Sequence, residues 1–178
     1  MQFNSTVLII PGIGNSGPDH WQSLWETQFD FKRVEQKEWE TPACEDWVEN
    51  INISVKKYNP NDVILVAHSA ACMAVIIWAQ KFNIKIKGAL LVAPADSEAR
   101  SFPEGAFGFA PVPLIKLPFP SIVAASTNDF YVTFNRAKLF AEFWGSEFVN
   151  VGEKGHINTA AGFGAWDEGL KYLKKLDV

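Results

Sequence analysis

The chain has 178 residues, of which 48% are hydrophobic and 20% are charged, and its formal net charge is −4 at pH 7. This length and composition are typical of a compact α/β domain with a sizeable core, and we predict a single domain over residues 1–178. The acidic balance and the lack of a basic cluster argue against nucleic acid or an anionic membrane as a partner.

The sequence also bears on the compartment and on metal binding. Its first residues include neither a basic segment nor a long apolar one, and no stretch reaches the roughly 20 apolar residues of a membrane helix. Cys44 and Cys72 form no C-x-x-C pair, and none of the three histidines has a Cys or His at metal-ligand spacing. We therefore expect a soluble cytoplasmic protein without a metal site.

The first elements in chain order are a short buried strand over residues 6–10 and a Gly-rich loop, Pro11-Gly-Ile-Gly-Asn-Ser-Gly-Pro-Asp-His20-Trp21. Pro18 favours a helix start, and a helix is predicted over about residues 18–29. The loop lacks both Gly-Lys-Ser/Thr and G-x-G-x-x-G, so it does not match a nucleotide-binding motif. Either it is a plain turn, or its backbone N–H groups face an anion or a developing oxyanion.

The next two predicted elements are an edge strand and a helix. Residues 32–39 alternate in polarity and predict a strand nearer the sheet edge. Thr41-Pro42 is typical of a helix start, and a helix is expected to continue to about residue 58.

Residues 63–67 are apolar and mostly β-branched, which is typical of a strand buried on both faces of a parallel sheet. His68-Ser69 and a helix-forming run follow at once. A serine between a buried strand and a helix is the layout of the nucleophile elbow. The usual G-x-S-x-G reads Ala67-His-Ser69-Ala-Ala71 here, so small residues stand where glycines would. Taken alone, this stretch slightly favours the alternative that Ser69 only caps the helix.

The second half continues the alternation of strands and helices. Strands are predicted over 88–93, 121–126 and 147–151, and helices over 133–144 and 166–176. Residues 94–118 are rich in Pro, Gly and Phe without a clear period, and we expect them to form a lid or a loop covering a pocket. Asp129 follows the fifth strand, where an Asn-Asp pair commonly serves only as a turn. His156 follows the sixth.

Ser69, Asp129 and His156 thus follow three strands of a parallel sheet, in the chain order Ser…Asp…His that α/β-hydrolases use. Their positions at the carboxyl ends of strands predict that they meet, because ligand sites in open α/β sheets form at that edge. His68 adjoins the serine and is a poor candidate for its base, since neighbouring side chains at a sharp turn diverge. His20 lies in the first loop, where it is placed to touch a substrate.

Five stretches carry a resemblance to a known family: Pro11 to Trp21, Val66-Ala-His-Ser69, Gly88 to Pro94, Leu117 to Asp129, and Gly155-His156-Ile-Asn158 with Gly162 to Trp166. Together they resemble the RBBP9/YdeN family of small serine hydrolases, and the match covers nearly the whole chain. The family more often has a larger residue and then Gly where this chain has Ala70-Ala71. The resemblance implies a minimal α/β-hydrolase with a six-stranded, mostly parallel sheet in the order 2-1-3-4-5-6 and helices on both faces. It also implies hydrolysis of small acyl esters.

The expected chemistry assigns a role to each of these residues. Ser69 would be the nucleophile, His156 its base and Asp129 the group that orients the base, in a reaction through an acyl-enzyme that needs no metal or organic cofactor. The backbone N–H groups of Ile13 and Ala70 are the expected oxyanion donors. The expected substrate contacts are Gly14, His20, Trp21 and Phe130.

Two alternatives remain open at this point. One alternative to an esterase is a non-catalytic domain that binds a ligand or a protein segment in the same cleft. The other is a thioesterase or amidase, which the sequence does not separate from an esterase. The small-molecule acyl ester is the preferred substrate, and a protein partner is not identified.

Overall fold

The computed structural model describes residues Met1–Val178. Six strands form one sheet in the order β2-β1-β3-β4-β5-β6, and every neighbouring pair is parallel. The strands are β1 (Thr6–Ile10), β2 (Lys32–Arg33), β3 (Val63–His68), β4 (Gly88–Val92), β5 (Ser121–Ala125) and β6 (Glu147–Asn150). The predicted α/β class, strand number and strand order are confirmed.

Five helices cover the two faces of this sheet: α1 (Trp21–Phe29), α2 (Cys44–Val55), α3 (Ala70–Phe82), α4 (Phe134–Trp144) and α5 (Asp167–Leu176). Successive side chains of a strand point to opposite faces, so each strand contributes to two cores. In β3, Leu65 and Ala67 belong to the core shared with α2, α3 and α4, whereas Ile64 and Val66 belong to the core shared with α1 and α5. The central strands are therefore buried on both faces, as their apolar runs predict. None of the helices has the length and apolar character needed to cross a membrane.

The edge strand is shorter than its alternating pattern indicates. Only Lys32–Arg33 pairs with β1, and the predicted strand over 32–39 is wrong beyond that point. The N–H of Val34 still donates to the carbonyl of Ile9 at 2.8 Å. The chain then leaves the sheet, and the carbonyl of Trp39 accepts the N–H of Gly14 instead, at 2.7 Å.

The second helix begins later than Thr41-Pro42 predicts. Its first residue is Cys44, because the backbone just before it is paired with the loop around Phe107. Cys44 N–H donates to the Phe107 carbonyl at 2.9 Å, and Phe107 N–H donates to the Pro42 carbonyl at 3.0 Å. A backbone committed to these bonds is extended and does not start a helix.

Residues 94–118 contain no helix and no strand. Phe109 is buried and packs its ring against Trp47 of α2, with centroids 5.6 Å apart, while the exposed fraction of Phe107 is 63%. Pro103 reaches the pocket beside Ser69. The part of the segment around Phe107 and Phe109 thus packs on α2, Pro103 borders the site, and the indole N–H of Trp144 in α4 donates to the Pro113 carbonyl at 2.9 Å.

The register of the sheet brings the carboxyl ends of the strands to one edge. Ile10 pairs with Ala67, and Val92 pairs with both His68 and Ala124. The loops that follow β1, β3, β5 and β6 therefore open side by side, which is where an open α/β sheet presents its ligand site.

Candidate active site

Ser69 occupies a sharp turn between β3 and α3. Its backbone has φ 60° and ψ −128°, a region that a residue with a side chain rarely adopts, and its N–H donates to the Val92 carbonyl at 3.0 Å. The hydroxyl makes no capping hydrogen bond to α3, so the interpretation of Ser69 as a helix cap is wrong. The turn instead presents the hydroxyl to the loops at the sheet edge. Ala71 is fully buried in this turn, which therefore forms with alanine in place of glycine.

Gly12 in the first loop lies directly against this turn. A Cβ atom on Gly12 would stand 2.8 Å from the Ser69 Cβ and 3.0 Å from the His68 carbonyl oxygen. Real carbon atoms do not approach so closely, so the glycine is required by contact and not by its φ angle. The first loop and the elbow therefore fit together only because position 12 has no side chain.

His156 and Asp129 complete a hydrogen-bonded chain that starts at Ser69. The Nε2 atom of His156 lies 2.8 Å from the Ser69 Oγ, and its Nδ1 lies 2.9 and 3.0 Å from the two Asp129 carboxylate oxygens. A carboxylate only accepts, so Nδ1 carries the proton and Nε2 is free to accept the serine hydroxyl. The Asp129 side chain is completely buried, and that of His156 is 10% exposed. Asp129 also accepts the Tyr131 N–H at 2.9 Å, so it forms a turn as well as holding the histidine.

Ser126 and Asn128 fasten the loop that carries His156. The Ser126 hydroxyl accepts the N–H of Lys154 at 2.9 Å, and Asn128 Oδ1 accepts the N–H of Gly155 at 2.7 Å. Ser126 is fully buried. The sequence indicated Ser126 and Asn128 only as part of the segment that contains Asp129. It did not indicate their bonds to the histidine loop, because the partners come from a different part of the chain.

His68 has a role that the sequence did not reveal. Its Nε2–H donates to the backbone carbonyl of His156 at 2.9 Å, which ties the last residue of β3 to the histidine loop. Burial, with the nearby His156 and His20, lowers the pKa of His68 well below the usual range, so the ring is neutral at pH 7. The prediction that His68 is not the base agrees with this geometry, because its ring proton is committed to a carbonyl.

His20 caps α1 and borders the site. Its Nδ1 accepts the N–H of Gln22 at 3.2 Å, which explains why the helix begins at Trp21 and not near Pro18. Burial is the main cause that lowers the pKa of His20 to about 4, and the charges of Arg33 and His156 act in the same direction. The ring is therefore neutral at pH 7, with its proton on Nε2.

A pocket of about 190 Å³ opens beside these groups, and Ser69, His156 and His20 are among its lining residues. Three predicted substrate contacts lie elsewhere. Trp21 is fully buried and donates its indole N–H to the Ile157 carbonyl at 2.9 Å, Gly14 is turned toward Trp39, and Phe130 is 75% exposed outside the pocket. The structure therefore does not include these three residues in the lining of the pocket.

The sequence missed several residues of the pocket: Asn15, Ser16, Pro103, Tyr131 and Asn158. Tyr131 follows Asp129 by two residues, and its ring lies 4.6 Å from the His156 ring, whereas Phe130 between them points away. The available signal was the position of Tyr131 just after Asp129, because this turn follows a strand and therefore lies at the ligand edge of the sheet.

The backbone N–H groups of Ile13 and Ala70 donate to no acceptor in the chain. Ala70 is the first residue of α3, where an N–H has no partner within the helix, and Ile13 lines the pocket.

No group of three or more His, Cys, Asp or Glu side chains in the chain is arranged to hold a metal ion.

Comparisons with known proteins agree with this geometry. Residues 7–175 match a family model described as serine hydrolase. A YdeN-like hydrolase from Pectobacterium atrosepticum is 36% identical over 97% of this chain and 90% of its own, with a TM-score of 0.85. A comparison with curated protein sequences gives no significant match.

Two more distant structures share the fold. The ydeN gene product of B. subtilis is 20% identical, with a TM-score of 0.82 over 97% of this chain and 98% of its own. Est1E from Butyrivibrio proteoclasticus, in a structure with bound ferulic acid, is 13% identical, with a TM-score of 0.69 over 97% of this chain and 89% of its own. The family model and the 36% identical relative both span nearly the whole chain, and the chain therefore belongs to the serine hydrolase family, among the YdeN-like α/β-hydrolases.

Proposed function

We propose that the chain hydrolyses small carboxylic esters, with Ser69 as nucleophile, His156 as general base and Asp129 as the residue that orients the base. The observation that carries the proposal is the hydrogen-bonded chain from Ser69 through His156 to Asp129, with 2.8 Å between hydroxyl and imidazole. A serine hydroxyl is a weak nucleophile unless an adjacent base takes its proton. A binding site alone needs no such arrangement, which argues against a purely non-catalytic domain.

In the first half of the reaction, His156 Nε2 takes the proton of Ser69 as the Ser69 oxygen attacks the ester carbonyl carbon. The buried Asp129 carboxylate holds the imidazole in the required tautomer and stabilises its cation. His156 then gives the proton to the departing alcohol, and the acyl group stays on Ser69. In the second half, His156 takes a proton from water as the water oxygen attacks the acyl carbon, and it then gives this proton to the Ser69 oxygen as the Ser69–acyl bond breaks and the acid leaves.

The tetrahedral intermediate carries a negative oxygen that needs donors already in place. The unpartnered N–H groups of Ile13 and Ala70 supply two such donors, one from each side of the contact between Gly12 and Ser69. A single donor of this kind is typically worth about 3 kcal/mol of transition-state stabilisation. The small pocket fits short acyl or alcohol groups.

The test is hydrolysis of 4-nitrophenyl acetate and butyrate by the wild type and by Ser69→Ala, His156→Ala and Asp129→Asn. Circular dichroism establishes that each variant is folded. We expect Ser69→Ala and His156→Ala to lose activity by orders of magnitude, and Asp129→Asn to lose about 10⁴-fold in kcat, because an amide favours the wrong tautomer of His156.

Covalent labelling with a fluorophosphonate separates catalysis from binding. Label on the wild type but not on Ser69→Ala supports an activated serine at position 69. Equal, slow hydrolysis by the wild type and Ser69→Ala, with no label on either, would falsify the proposal. Thioester and amide analogues of the same acyl group then rank the bond types.

A further inference from the structure

The pocket beside Ser69 is polar but carries no formal charge of its own. None of its eleven lining residues is Asp, Glu, Lys or Arg, and only two are hydrophobic. A site built for a fatty acyl chain is lined mainly by apolar side chains. The chemistry of this lining therefore points to a polar group in the substrate.

Two asparagines of the lining expose the donor end of their amides. Asn15 Oδ1 accepts the N–H of Ser16 at 2.8 Å, and Asn158 Oδ1 accepts the N–H of Ala161 at 3.0 Å. A backbone N–H only donates, so the atom that it meets on each amide is the oxygen. The NH₂ group of each asparagine has no partner within the chain, which leaves it free to donate to a ligand.

His20 likewise uses its acceptor atom within the chain and leaves its donor free. Its Nδ1 is occupied by the N–H of Gln22, so the neutral ring carries its proton on Nε2, and this N–H has no partner in the chain. The ring stays neutral at pH 7 because its pKa is about 4.

Two other polar groups of the lining use their protons within the chain and add no free donor. The Ser16 hydroxyl donates to the buried Gln22 side chain at 2.6 Å, and the His68 ring is bonded to the His156 carbonyl. The side-chain N–H donors that the lining leaves free for a ligand are therefore those of Asn15, His20 and Asn158, and all three are neutral.

Building on the esterase function proposed above, we infer that the substrate is an oxygen-rich ester with at least one hydrogen-bond-accepting oxygen beyond the ester group. His20, Asn15 and Asn158 determine this specificity by donating to that oxygen. It belongs to the acyl part, as in an alkoxy or hydroxy acid, or to the alcohol part, as in an acylated polyol or sugar. Plain alkyl esters of the same length are poorer substrates.

Two pairs of esters of equal length test the inference and separate its two arms. For the acyl side, 4-nitrophenyl methoxyacetate is compared with 4-nitrophenyl butyrate, and for the alcohol side 2-methoxyethyl acetate is compared with butyl acetate. Each kcat/KM is divided by the rate constant for hydroxide-catalysed hydrolysis, which removes the intrinsic reactivity. One hydrogen bond predicts a preference of about fivefold for the oxygen-containing member of at least one pair. An apolar pocket predicts the reverse, by about fourfold for one CH₂ group.

Three variants remove the donors while keeping the local fold. Asn15→Asp and Asn158→Asp retain the oxygen that accepts the backbone N–H, and His20→Asp retains an acceptor for the Gln22 N–H but has no N–H of its own. We expect each carboxylate to lower the preference for the oxygen-containing ester by about tenfold or more, because it repels an acceptor oxygen. Asn150→Asp is the matched control: its Oδ1 accepts the Gly152 N–H at 2.8 Å in the same manner, but it lies outside the pocket. In this control, the ratio of kcat/KM for the oxygen-containing ester to kcat/KM for the alkyl ester should equal that of the wild type.

The outcomes are distinct. A preference for the oxygen-containing ester that falls in the pocket variants, but not in Asn150→Asp, supports the inference. A ratio of one or below in both pairs overturns it while leaving the esterase function intact, and so does a preference that all three variants retain. If no ester is hydrolysed and no fluorophosphonate is bound, the esterase function fails and the inference fails with it.

Discussion

The imidazole of His68 donates its Nε2–H to the backbone carbonyl of His156 at 2.9 Å, so the residue next to the proposed nucleophile holds the loop of the proposed base. The two rings lie 4.8 Å apart. Strand β3 thereby positions both partners of the proposed proton transfer: Ser69 directly follows its last residue, and the side chain of that last residue, His68, holds the loop of His156.

Removing this bond should impair catalysis without removing a reacting group. We expect His68→Leu to lower kcat by about 10- to 100-fold, because the unpaired, buried His156 carbonyl is costly and the loop shifts. His68→Gln, whose amide places an N–H at a similar distance, should restore most of the rate. Steady-state kinetics on 4-nitrophenyl butyrate provides the measurement. Full activity in the leucine variant would contradict the positioning role.

Gly12→Ala should damage the site more than the fold. Its Cβ would stand 2.8 Å from the Ser69 Cβ, so the elbow or the first loop must shift, and the Ile13 N–H that we propose as an oxyanion donor shifts with it. We expect kcat to fall by about 100-fold or more, the scale of losing one donor. Gly17→Ala in the same loop is the control, since a Cβ there meets nothing within 4 Å. Equal activity of the two variants would show that the contact is dispensable.

Ser126 and Ser121 offer a matched pair at the two ends of β5. Ser126 accepts the Lys154 N–H of the histidine loop, whereas Ser121 bonds the Ser146 hydroxyl at 2.6 Å at the opposite end. Both are buried, so each change to alanine should lower the free energy of unfolding by about 1–2 kcal/mol. Only Ser126→Ala should also lower kcat. Chemical denaturation and steady-state kinetics on both variants provide the measurements. An equal loss of kcat in Ser121→Ala would show that the bond between Ser126 and the histidine loop has no special effect on catalysis.

Mild acid should destabilise the fold through two buried histidines. Burial lowers the pKa of His20 to about 4 and that of His68 well below the usual 6.5. At pH values between these lowered pKa values and 6.5, the unfolded chain therefore binds more protons than the folded chain. Stability is therefore complete above about pH 6.5 and declines as the pH falls toward 4, by on the order of 3 kcal/mol for His20.

The check is urea denaturation of the wild type, His20→Asn and His68→Gln at pH values from 7.5 to 4. The variants should show a shallower decline between pH 6.5 and 5, above the range in which most carboxylates titrate. Three parallel curves across that window would rule out this origin of acid sensitivity.

The sheet and the Ser69, Asp129 and His156 positions follow from local patterns. Short apolar, β-branched runs mark buried parallel strands, and a residue that directly follows such a run must lie at the ligand edge. The strand order drew on the family resemblance, and the α/β-hydrolase assignment drew on that resemblance together with the strand–helix alternation and the chain order Ser…Asp…His.

The features that sequence did not reveal depend on contacts between distant loops. The indole N–H of Trp21 donates to the carbonyl of Ile157, which is 136 residues away in the chain. Trp21 is therefore buried between two segments, whereas the sequence predicted that it contacts the substrate. The start of α2 is set by the backbone of Phe107 in another segment. The donor character of Asn15 emerges only when the partner of its oxygen is known.

The tryptophans behind the site give the molecule an internal optical reporter. Trp25 stacks on Trp166 with centroids 5.9 Å apart and planes 9° from parallel, and the Trp21 ring lies 4.6 Å from Trp25. The indole N–H groups of Trp21 and Trp25 donate to the carbonyls of Ile157 and Ala165. Rings this close couple their electronic transitions, so near-ultraviolet circular dichroism follows how the segment after His156 docks on α1, without any added label.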